Sequence, residues 1–114
     1  MQEVAEPAFA TGLRAMPIIG DAFEPRLRDG LDYVLLAPVE EYQGPGTYFI
    51  EAWPGAGELY HVEPTLEYGD EKLRLTRDNK NFVEFVLPVD WFNRKVVAIV
   101  AAEIHVKNER FLDA

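Results

Sequence analysis

Short apolar runs between glycine and proline turns constrain this chain more than any other feature. Leu13 to Ile19, Asp32 to Ala37, Thr47 to Trp53, Glu58 to Glu63, Lys72 to Thr76, Val83 to Leu87 and Lys95 to Val106 carry apolar residues that seldom recur at helical spacing. Between them lie Gly20, Gln43-Gly44-Pro45-Gly46, Pro54-Gly55-Ala56-Gly57, Tyr68-Gly69-Asp70 and Asp78-Asn79, all turn-forming sequences. The pattern predicts a mostly-β fold, a partly curled sheet of seven strands. One short helical turn is expected over Glu24 to Arg28, with Pro25 tolerated at its start and Gly30 ending it. No repeat, low-complexity tract or second domain is visible. Residues 1–12, opening Met1-Gln2-Glu3-Val4-Ala5-Glu6-Pro7, read as a linker or N-terminal extension to a domain over 13–114.

A chain of 114 residues with 48% hydrophobic residues has material for one core, and at this size roughly two-thirds of the unfolded surface can be buried. Without cysteine it can hold neither a disulfide nor a thiolate metal site, which fits a cytoplasmic protein. No apolar run approaches the ~18 residues of a membrane span, and no basic-then-apolar leader opens the chain. With 20 acidic and 11 basic residues the net charge is −9, which argues against direct contact with a nucleic-acid backbone.

Ile18-Ile19-Gly20-Asp21-Ala22-Phe23-Glu24-Pro25, followed by Leu27-Arg28-Asp29-Gly30, resembles the Gly-Asp-Ser-Met-x-Pro nucleophile segment of the LexA-like and UmuD-like serine peptidases, with Ala22 in the serine's place. Asp32-Tyr33-Val34-Leu35-Leu36, Gly46-Thr47-Tyr48-Phe49-Ile50, Leu73 to Asn79 and Val96 to Val100 are similar to later segments of that family, in order. Leu31 is inserted in this pattern, and Ala98 and Ile99 replace a usual Gly-Arg. The resemblance implies a LexA- or signal-peptidase-like fold. It also aligns Gly57 to Glu63 with the strand that carries the catalytic lysine, putting Val62 or, after a one-residue slip, Glu63 at the lysine position. Alanine cannot attack a carbonyl, and neither valine nor a carboxylate beside an alanine can replace the dyad's amine, so the expectation is a pseudo-peptidase without catalytic residues.

Three functional classes follow. The resemblance favours a non-catalytic oligomerisation and regulatory domain of a repressor-like transcription regulator, phage-derived or stress-responsive and not relieved by self-cleavage. DNA contact would then need a separate N-terminal domain, and an antirepressor or other protein is an expected partner. The alternative is a free-standing peptide- or protein-binding module that uses the former substrate cleft, with Gly20, Asp21, Ala22, Phe23, His61 and Glu63 as candidate residues. The third is a hydrolase with relocated groups, drawn from Asp21, His61, Glu63 or Thr76.

Other residues have plainer readings. The continuous run Val96 to Ala102 suits a strand buried on both faces, and family likeness alternatively offers Val96, Val97, Ile99, Val100, Ile104 and Val106 as a homodimer contact. His61 with Glu63, and His105 with Glu103, would each share a strand face. A two-histidine metal site is not expected, and no cofactor is implied. Glu40-Glu41 and Asp70-Glu71 read as solvated turn carboxylates, Asp21 as a holder of its own turn, and Trp53 and Trp91 as core or rim aromatics.

Overall fold

Seven of the apolar runs form strands in the computed structural model, which describes residues 12–66 and 71–112. They are β1 (Arg14–Pro17), β2 (Tyr33–Pro38), β3 (Gly46–Glu51), β4 (Gly57–Thr65), β5 (Lys72–Thr76), β6 (Phe85–Pro88) and β7 (Val96–Ile104). All pair antiparallel in one sheet of order β1-β2-β7-β3-β4-β5-β6. The fold is therefore mostly β. The turn at Tyr68-Gly69-Asp70 and the extension before Gly12 lie outside the described residues.

Side chains alternate across the sheet and build a core on each face. One face gathers Ile18, Phe23, Leu27, Val34, Leu36, Leu59 and Ala98. Leu59 on β4 and Ile18 at the end of β1 would stand about 19 Å apart across four strand spacings of a flat sheet. Both nonetheless line one groove of about 380 Å³, as a curled sheet allows, and pairing breaks at Leu35/Leu36 and Phe49/Ile50 supply local bends. The segment between β1 and β2 caps this concave face. Leu27 N–H donates to Phe23 O at 2.9 Å and closes a plain turn; the short helical turn expected over Glu24 to Arg28 does not form.

The opposite face holds Tyr48, Ile50, Val62, Leu73, Leu75 and Phe92. It is covered by a helix that the sequence pattern does not announce, α1 (Val89–Lys95). Asp90 in its first turn and Arg94 and Lys95 in its last suit the helix dipole, and Phe92 is its buried anchor. Trp91 packs against this core, while Trp53 is 70% exposed at the β3–β4 turn.

β7 explains its own apolar run. It lies centrally, with Val97 and Val100 packed on the concave core and Val96 and Ile99 on the helix-side core. Of the six residues offered as a dimer contact, these four therefore serve the interior of one chain, and Ile104 is the exposed one. Val106 N–H donates to the wholly buried Asp32 at 2.9 Å. No helix among the described residues is long and apolar enough to cross a membrane.

Candidate binding groove

The turn containing Ala22 is braced from within and tied to two other places in the chain, the segment after β5 and β7. Asp29 Oδ1 accepts from Gly20 N–H at 2.8 Å, and Glu24 Oε2 accepts from Asp29 N–H at 3.1 Å. Those two carboxylates, not the Asp21 side chain, brace the turn internally; Asp21 contributes its carbonyl, to Glu24 N–H at 3.2 Å. From beyond β5, Asn79 N–H donates to Ala22 O at 2.8 Å and Asn79 Nδ2 to Asp21 O at 3.3 Å. Arg26 reaches Asp78 through Nε at 2.9 Å and pairs with Glu103 on β7. At the base of the turn Asp32 accepts two guanidinium bonds from Arg28, at 2.9 and 2.7 Å, and the Arg28 N–H at 2.9 Å. The Arg28 hydrogen bonds hold the Asp32 carboxyl far below the usual carboxylate range; burial opposes this, and the Arg28 and Val106 N–H groups reinforce it.

Beside this turn runs an open groove of about 380 Å³ between the end of β1 and the start of β4. Met16 to Ile19 form one wall, Gly20 to Phe23 the floor, and Phe49, Gly57 to Leu59, Arg77 and Phe82 the other side. Ile19 is 78% exposed at its rim, and Phe82 is 38% exposed. Arg77 is built in: Nε donates to Leu59 O at 3.1 Å, and the guanidinium lies 4.2 Å from the Tyr60 ring centre and 5.0 Å from that of Phe82. It also pairs with Glu58, which leaves a matched ion pair on an otherwise apolar wall. Ala22 presents only a methyl group here, with no atom able to attack a bound carbonyl.

No known family model matches the chain, and no curated protein matches it in sequence.

Gly20, Asp21, Ala22 and Phe23 come together as floor. Val62 does not join them, because its side chain lies in the core on the helix side. The β4 side chain that meets the Ala22 turn is His61, whose ring sits edge-on to Phe23 at 4.9 Å between centres. Glu63 lines a different recess, of about 280 Å³, with Pro45, Gly46, Thr47, His61, Val62 and Thr76. His61 shares that recess with Glu63 but bonds elsewhere: Nδ1 lies 2.8 Å from Thr47 Oγ1 and Nε2 2.7 Å from Asp78 Oδ1. Burial raises the Asp78 carboxyl, but bonds to His61 and Arg26 outweigh it and bring the carboxyl below its ordinary value. His105 stands apart, 3.4 Å from Glu103 and 3.8 Å from Asp32. Among the described residues no group of three or more His, Asp or Glu is placed to hold a metal ion.

Sequence reading missed Asn79, Arg77, Thr47 and the His61–Asp78 pairing. Asp78-Asn79 was legible as a turn, but its side-chain targets, His61 at a separation of 17 residues and Asp21 at 58, exist only after the sheet has formed.

Proposed function

We propose that this chain is a binding domain that holds an extended peptide segment, uncut, in the groove beside Ala22. The observation that carries this is the groove itself, a trough with an apolar wall at the open edge of β1 and a methyl group where a peptidase would need a nucleophile. An extended segment laid there can pair with the free edge of β1 and place alternate side chains against Met16, Phe49 and Phe82. In the repressor-like setting implied by the motif resemblance, such a domain serves oligomerisation and regulation of a transcription regulator relieved by partner binding rather than self-cleavage. The occupant is then a segment of an antirepressor or similar protein.

Selection of a random-peptide display library on the full chain tests the reading. Enrichment of peptides with apolar residues at alternate positions, lost on the Ala22→Arg and Phe82→Glu variants, is the expected result. Equal recovery on wild type and both variants would place binding elsewhere and remove the groove reading.

A further inference from the structure

We propose that Thr47, His61 and Asp78 form a second centre, an acyl-transfer site with Thr47 as nucleophile, opening on the recess beside β3 rather than on the Ala22 groove. Thr47 and His61 stand directly opposite in the β3–β4 register, and Oγ1 lies 2.8 Å from Nδ1. On the far side of the ring, Nε2 meets Asp78 Oδ1 at 2.7 Å. An ionised carboxylate only accepts hydrogen bonds, so in the neutral ring Nε2 carries the proton and Nδ1 is left to accept from the Thr47 hydroxyl. That is the arrangement a general base needs in order to activate an alcohol.

The imidazole is held on two sides. Phe23 packs edge-on against it, and Arg26 Nε fixes the other oxygen of Asp78 at 2.9 Å. Hydroxyl, base and orienting carboxylate thus follow one another in hydrogen-bond contact, the constellation by which such centres are recognised whatever the fold. The recess shares no lining residue with the groove, so this centre stands independently of the peptide-binding reading. Glu63 in the lining disfavours anions. The substrate class is a small neutral or cationic ester.

In the first step Thr47 Oγ1 attacks the ester carbonyl carbon while its proton passes to His61 Nδ1. The tetrahedral adduct breaks its bond to the leaving alcohol oxygen, which takes that proton, and acyl-Thr47 remains. Water then attacks the acyl carbon and gives a proton to His61. That proton returns to Thr47 Oγ1 as the carboxylic acid departs. Asp78 is a positioning residue, acting through His61.

The test uses p-nitrophenyl acetate with the full chain, followed by peptide mass mapping. Release of nitrophenolate with an acetyl group on Thr47 is expected. Rates should fall at least about 100-fold in Thr47→Val and His61→Gln, persist in Thr47→Ser, and drop in kcat with KM held in Asp78→Asn. Trp53→Ala, at an exposed residue that lines neither the groove nor the recess, should leave the rate unchanged. A rate that survives Thr47→Val, an acetyl group found only on lysine or His105, or release no faster than buffer would each overturn the proposal. Because the acetyl position is read in the wild-type chain, a variant that folds poorly does not obscure the outcome.

Discussion

Gly57 is the residue whose identity the groove most directly demands. A Cβ built there would lie 2.1 Å from Phe49 Cζ, so the absence of a side chain lets the Phe49 ring lie over β4 and wall the groove. Gly57→Ala must push the ring aside, and overpacking of this kind costs about 1–3 kcal/mol. We expect a lowered denaturant midpoint together with weaker peptide capture; unchanged values of both would show that Phe49 gives way freely. Asp32 makes a comparable demand on pH. Its carboxyl is depressed in the folded chain, so its stabilisation is complete above the ordinary carboxylate value of about 4 and is lost as pH falls below it. Asp32→Asn should lose stability at neutral pH, on the order of 3 kcal/mol given that it removes charge-assisted bonds, and should flatten the acid limb of stability against pH. Denaturant melts between neutral and acid pH measure both effects.

At the scale of elements, strands were legible because β-branched and aromatic runs end in glycine and proline turns, and Lys72–Thr76 falls on the bounds read from sequence. α1 was not, since a seven-residue helix with Trp91-Phe92 at its centre carries too few turns for a helical period to stand out. The lysine position reads as Val62 or, after a one-residue slip, Glu63; Val62 turns into the helix-side core and His61 is the β4 side chain against Phe23, because one position along a strand reverses the face. The Ala22 turn itself was visible in the sequence, whereas its anchors were not, because they come from β7 and from the segment after β5. Among these anchors Asn79 alone ties the turn by its backbone and its side chain. Asn79→Ala keeps the N–H bond to Ala22 and removes the side-chain bond to Asp21. Hydrogen exchange should then quicken at residues 20–24 while protection across β3 and β4 holds. Uniformly faster exchange would show instead that the turn is not a separately anchored element.

Over the whole molecule, one curled sheet separates two cores, leaving a trough at one end and the exposed tip of β7 at another. β3 pairs with β7 only as far as Ile99, beyond which Ala101, Ala102 and Ile104 are exposed. If the regulatory reading brings two copies together there, Ile104→Asp should shift the mass measured by light scattering from dimer to monomer without lowering thermal stability. A mass unaffected by the substitution would move any self-association off this surface. Peptide binding in the groove is read out by amide-shift mapping of the nitrogen-labelled chain with a library-selected peptide, with the peptide's mass followed in the same sample. Shifts concentrated at Ile18 to Phe23 and Gly57 to Leu59, with the peptide left intact, are expected; shifts centred elsewhere, or a peptide cut while bound in the groove, would rule the binding reading out.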